Sequence, residues 1–165
     1  MNKKEIEQEF IDRVMGAQGI VHKVCGMYCD NREDRKDLFQ EILINLWKSY
    51  PSFRGDSKFS TWMYRVSLNV AIQRLRKTNK KKEDATQPID FDEIAYPTKE
   101  SLPEKELKMM YAAINRLSDV EKALVMLYMD EKGNEQIAEI MGISQNYVRV
   151  KMTRIREKLK KLVEA

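Results

Sequence analysis

The sequence predicts an all-α protein: two small helical domains joined by a flexible linker. Three observations predict it. Apolar residues recur at helical spacing through both halves of the chain, and no stretch alternates as a strand would. Six Gly and four Pro in 165 residues are too few for the frequent tight turns of an all-β fold. A non-periodic stretch with Pro88, Pro97 and many charges divides the chain, so domains are expected at 1–79 and 103–165 with a linker at 80–102.

Each element has its own signal. Between residues 5 and 30, Phe10, Val14, Ala17, Val21, Val24, Cys25 and Tyr28 keep close to a helical period. Gly16 and Gly19 weaken that helix and predict a break near them. A second helix starts in NREDRKD, carries Leu38, Phe39, Ile42, Leu43, Leu46, Trp47 and Tyr50 on its apolar side, and stops at Pro51, which has no amide hydrogen to donate. FRGDSK reads as a loop, and a third helix over about 60–77 is expected to bury Trp62, Val66, Val70 and Ile72. Helical pattern resumes after Pro103, and Ser118-Asp119-Val120-Glu121 has the S-x-x-E form of a capping box. Gly133 and Asn134 separate that helix from a short one, which Gly142 ends in a left-handed position. Ser144 then caps a last helix running to about Val163.

Composition excludes several classes. No apolar run reaches the roughly 20 residues of a membrane helix, so membrane insertion is not expected. The start, MNKKEIEQEF, lacks the apolar stretch of a secretory signal, which predicts a cytoplasmic protein. Two cysteines make no disulfide framework, and the single histidine, His22, handicaps catalysis. No catalytic group, metal or cofactor is expected.

The net charge of +4 hides a pattern. Residues 57–82 hold eight bases and no acid, residues 83–106 eight acids and two bases, and residues 144–161 seven bases and one acid. One such run usually solvates a helix face. Two, each inside a patterned helix, fit phosphate neutralisation better and point to nucleic acid.

The last helix sorts into faces. Val148, Met152, Ile155, Leu159 and Leu162 step by four and three as one apolar stripe, while Asn146, Arg149, Val150 and Thr153 lie away from it. A short helix, a turn with Gly142 and a capped second helix match a helix-turn-helix, whose second helix enters the major groove N-terminus first. Arginine there grips guanine through two hydrogen bonds, and asparagine grips adenine. An ordinary helical hairpin with a solvated cationic face is the alternative. In the other half, Phe53, Phe59, Trp62 and Tyr64 interleave with bases, as in grooves that stack single-stranded DNA. Aromatics at helical spacing also build cores, and Trp62 reads as core; motif physics leaves both open for the segment.

The run DLFQEILINLWKSYPSFRGDSKFSTWMYRVSLNVAIQRLRK resembles region 2 of bacterial RNA polymerase sigma factors, in the form of the extracytoplasmic-function (ECF) group. LSDVEKALVMLYMDEKGNEQIAEIMGISQNYVRVKMTRIREKLKKL is similar to their region 4. Order, spacing and the intervening tether agree with that family. The resemblance implies a protein that binds core RNA polymerase, at the β′ clamp helices and the β flap, and directs it to promoter DNA, read first as duplex and then as single strand. It implies docking through Asp37, Gln40 and Glu41, which share a helix face at i, i+3 and i+4. It implies −10 capture by the loop Arg54, Gly55, Asp56, Ser57 and Lys58 with Phe59, and by Asn69. A captured base offsets part of the cost of opening the duplex. It places Arg149, Val150, Thr153 and Arg154 where the −35 element is read, beside Asn146. Members are often held inactive by an anti-sigma factor, a partner the resemblance allows without requiring. In the family the linker threads toward the RNA-exit path, so the acidic tether reads either as an RNA mimic or as a solvated spacer.

Departures from the family pattern touch the promoter sequence rather than the role. Ser67-Leu68-Asn69 stands where Ala-Arg-Asn is common, removing a cation near the −10 strand, and Tyr147 replaces a common threonine. His22, Cys25 and Cys29, at i, i+3 and i+7, could hold zinc, but the same spacing is that of a buried helix stripe, which is the expectation here. Two other functions compete. A stand-alone helix-turn-helix regulator would bind a palindrome as a dimer and leaves the DLFQE face unexplained. A small DNA recombinase would need strands and a nucleophile that the N-terminal half does not offer.

Overall fold

A computed structural model describes the backbone of residues 2–81 and 104–164 and the side chains of 2–78 and 104–164. Among these residues there are eight α-helices and no strand. The expected linker from residue 82 on lies outside the described residues. The chain divides into two compact units, Met1–Arg74 and Leu75–Ala165. No helix among the described residues is long and apolar enough to cross a membrane.

The first unit begins with α1 (Lys3–Gly16), α2 (Gln18–Tyr28) and α3 (Arg32–Ser49). The break between α1 and α2 falls at Gly16–Ala17, where the glycines predict it. Asn2 and Glu5 form a capping box that starts α1 two residues before the periodic pattern. Asn31 caps α3 by accepting from the Asp34 amide at 2.8 Å. Pro51 closes α3 through a 3-10 turn, Tyr50–Ser52. After the loop, α4 runs Phe59–Lys81, four residues beyond the expected end and two into the expected linker. The core of this unit is built from Val21, Val24, Leu38, Ile42, Leu46, Met63 and Tyr64, all essentially inaccessible. Each such aliphatic side chain contributes roughly 1.5–3 kcal/mol.

The buried face of α4 matches the expected one in part. Val70 and Ile72 are buried as expected, Met63, Tyr64, Ser67, Leu68 and Ala71 face inward beside them, and Trp62 and Val66 are only half-buried. A helix in which most positions are apolar or small has several candidate stripes, and packing within the unit selects among them.

In the second unit, α5 (Glu104–Asn115), α6 (Asp119–Met129) and α7 (Asn134–Met141) all pack against α8 (Gln145–Glu164). Val148, Met152 and Ile155 are buried in that contact, with Leu159 and Leu162 half-buried, as the apolar stripe predicts. The left-handed residue that ends α6 is Glu131, at φ 61°, not Gly133. The Lys132 amide can then reach the Leu127 carbonyl at 3.1 Å, and Gly133 becomes the N-cap of α7.

The expected capping box at the head of α6 is present. The Glu121 amide donates to Ser118 Oγ at 3.2 Å, and the Ser118 amide donates to Glu121 Oε1 at 3.0 Å. Lys158 Nζ of α8 reaches the same carboxylate oxygen at 3.1 Å, tying two helices together. Burial raises the Glu121 pKa, but the Ser118 and Lys158 hydrogen bonds outweigh it and hold the carboxyl below its ordinary value. The folded carboxyl thus binds its proton more weakly than the unfolded one. The ionised form stabilises the fold at neutral pH, and this contribution is lost as pH falls below the ordinary value of 4.5. Glu121→Gln should cost roughly 1 kcal/mol at pH 7, as a weakened cap does. Thermal melts of variant and parent should converge toward the acid end; a gap that stays constant with pH would remove the role of the ionised carboxylate.

Candidate nucleic-acid interface

The helix-turn-helix rests on one backbone conformation. Gly142 sits at φ 70°, ψ 35°, a left-handed position costing roughly 1–2 kcal/mol for a residue with a Cβ. It lets the amides of Gly142 and Ile143 both reach the Ala138 carbonyl, at 2.9 and 3.1 Å. Ser144 Oγ then accepts from the Tyr147 amide at 3.1 Å, and α8 starts on a fresh axis.

On α8, Asn146, Arg149, Val150, Thr153 and Arg154 are all exposed, on the side away from the buried stripe. Val150 is 42% accessible. Tyr147 is exposed beside it. The Thr153 hydroxyl donates to the Arg149 carbonyl at 3.1 Å, which commits its proton to the helix. Arg156 is turned elsewhere, over the Tyr128 ring at 5.0 Å. The surface is thus two side chains able to make paired hydrogen bonds, Asn146 with one donor and one acceptor and Arg149 with two donors, around an apolar centre suited to a thymine methyl.

In the first unit the loop between Phe53 and Phe59 carries Arg54, Gly55, Asp56, Ser57 and Lys58. Ser57 is half-buried and the others are exposed. Gly55 takes φ 80°, which reverses the chain without steric cost. Phe53, Phe59 and Trp62 form a half-buried cluster at the loop's base, with centroids 5.2–5.6 Å apart. Tyr64, counted with these aromatics by its spacing, is 1% accessible and belongs to the core. The segment divides: three aromatics line the loop and one fills the interior.

Asn69 is exposed on α4, on the stripe of Trp62 and Arg65, two turns or about 10 Å beyond the tryptophan. Its neighbours Ser67 and Leu68 are both buried, Leu68 at 3%. The residue standing where the family often has arginine thus serves the core.

The α3 face that the resemblance assigns to docking differs from a plain acidic patch. Asp37, Gln40 and Glu41 are exposed together on α3, as the spacing predicts. Arg74 of α4 pairs with both carboxylates, at 3.3 Å to Glu41 and 3.9 Å to Asp37. Sequence reasoning counted Arg74 only as one more base in a cationic run. Its partners lie more than 30 positions away, and no local pattern signals them.

The candidate zinc set comes apart. Cys25 and Cys29 are buried, and burial first, with the mutual effect of the two thiols on Cys25, pushes them up to about 12 and about 11. His22, expected on the buried stripe, is instead exposed and stacks on Phe39 at 4.7 Å. Helix α2 turns its histidine outward while the thiols pack inside. Such thiols are poor nucleophiles.

Comparison with known proteins finds a family match in each half of the chain. The sigma-70 region 2 family matches residues 14–81, and the sigma-70 region 4 family matches residues 107–159. The ECF RNA polymerase sigma-E factor of Escherichia coli K12 is 31% identical over 142 residues, covering 79% of this chain and 74% of the relative. That of Haemophilus influenzae is 29% identical over 156 residues, covering 87% and 82%. Among solved structures, the sigma factor RpoE of Bartonella quintana, in complex with the anti-sigma factor NepR, superposes with a TM-score of 0.76 at 18% identity, covering 96% of this chain and 98% of that one. CnrH, in complex with the cytosolic domain of CnrY, gives 0.67 at 17% identity, covering 96% and 89%. The two structures show the fold, and the sequence relatives show the lineage. This chain belongs to the ECF group of RNA polymerase sigma factors.

Proposed function

We propose that this sigma factor works by three contacts, without chemistry of its own. Asp37, Gln40 and Glu41 dock core RNA polymerase on the β′ clamp helices. Asn146, Arg149, Val150, Thr153 and Arg154 read the −35 element as duplex. Arg54, Gly55, Asp56, Ser57, Lys58 and Phe59, with Asn69, capture the melted −10 strand. Residues 1–79 and 103–165 are then the two working domains and 80–102 the acidic tether, in a cytoplasmic protein. The anti-sigma factor NepR bound to one solved neighbour makes an inhibitor of that class a further partner to test.

The carrying observation is that one chain exposes both a polar face on the second helix of a helix-turn-helix and an aromatic-based loop, within matches to the two sigma regions. A dimeric helix-turn-helix regulator would use the first surface and leave the second, and the α3 carboxylates, without purpose. The test is transcription by bacterial core polymerase on a pool of promoter DNA. Transcripts that depend on this protein and start downstream of one shared pair of motifs support the reading. Absence of polymerase binding, with dimeric binding to a palindrome, overturns it.

A further inference from the structure

A loop that must receive a base needs a mouth of fixed width, and residues 54–58 have no regular structure of their own. Phe53 and Phe59 stand at the two stems, their rings edge to face at 5.6 Å. Over both lies the guanidinium of Arg13, 4.6 Å from the Phe59 centroid and 5.3 Å from that of Phe53. Arg13 reaches them from α1, far away in sequence. The same guanidinium donates to the Tyr50 hydroxyl at 3.2 Å and pairs with Glu9 at 3.5 Å. The Tyr50 hydroxyl in turn donates to the Glu9 carboxylate. One side chain thus joins α1, the end of α3 and both stems of the loop. Arg13 and Glu9 precede the stretch that matches region 2, so the family match does not account for them.

We infer that Arg13 is a positioning residue for the −10 loop, resting on the reading that this loop captures a melted base. Its planar cation holds the two stem rings together, and Glu9 and Tyr50 hold the cation. The loop is thereby ordered before DNA arrives, so less conformational entropy is lost on capture. Glu9 also neutralises the charge locally, which makes Arg13 a brace inside the protein rather than a phosphate contact.

The experiment uses reconstituted holoenzyme carrying Arg13→Gln or Arg13→Lys, on a duplex promoter and on variants of its −10 element. Arg13→Gln should slow open-complex formation roughly 5- to 10-fold and flatten the preference at the captured base, the scale of one cation–π brace with its hydrogen bonds. Affinity for core polymerase and preference along the −35 element should stay within about twofold, as expected for a site acting only through the loop. Arg13→Lys keeps a cation over the rings and should recover most of the loss. Three outcomes overturn the inference: unchanged opening and −10 preference in Arg13→Gln, a parallel loss of polymerase and −35 binding, or a fall of about one in the salt slope, which marks a phosphate contact. Asp56→Ala separates this inference from the reading beneath it. If that loop variant leaves −10 preference unchanged, base capture by the loop fails and the inference falls with it; if it alters the preference and Arg13→Gln does not, only the brace fails.

Discussion

Arg149→Ala is expected to weaken −35 recognition by about 1–3 kcal/mol, roughly 5- to 150-fold in preference at one base pair, the worth of a bidentate guanine contact. The side chain is exposed and buries nothing, so the fold should survive its removal. What Arg149 gives its own helix is a backbone carbonyl, which accepts the Thr153 hydroxyl whatever the side chain. The loss should therefore be confined to one position of the −35 element. Competitive transcription from a promoter library randomised there would show preference flattened at that position and kept at the rest. A uniform loss across all sequences would demote Arg149 to a phosphate contact. An unchanged profile would remove it from the interface.

Glu41→Arg should cut affinity for core polymerase by about 2 kcal/mol or more, roughly 30-fold, as charge reversal at an interfacial ion pair does. Two effects add. The docking face loses a carboxylate, and the new cation stands against Arg74, which pairs with Glu41 at 3.3 Å in the native protein. The pair lies at the surface, so the intramolecular part is small, and thermal stability should change by less than about 1 kcal/mol. Glu41→Gln keeps the shape without the charge and should fall between parent and Glu41→Arg. Binding titrations against core polymerase decide it. Normal affinity in Glu41→Arg would move the docking site elsewhere.

The Arg74 pairing alters how that face is understood. As a sequence, DLFQE offers two acids and an amide to a partner. In the folded protein both acids already share a guanidinium. Arg13 plays a comparable part at the loop. Both were invisible for the same reason: each joins residues 33 or more positions apart, and helical periodicity carries no information at that range.

Local signals, by contrast, were legible wherever one interaction decided the structure. Ser118 and Glu121 announce a helix start because two orphan amides need two acceptors at that spacing. Asn2 and Glu5 obey the same rule, with asparagine in place of serine. Gly142 announces a helix end because other residues pay a steric cost at its φ. Glu131 shows the limit: it takes a left-handed φ two residues before a glycine, and nothing in the local sequence marks it.

By itself, then, the sequence determined the all-α class, the order of the helices, the cap residues and the exposed stripe of α8, because each follows from contacts within a few turns of chain. The tertiary structure alone decided which face of α4 is core. Tyr64 is inside and Trp62 at the rim because α4 offers several apolar stripes of similar quality, and only the neighbouring helices choose among them. It also decided that His22 faces outward, that Arg74 pairs with Asp37 and Glu41 and that Arg13 lies over the rings of Phe53 and Phe59. These depend on where separate helices come to lie against one another, a relation that side-chain spacing along a single helix does not encode.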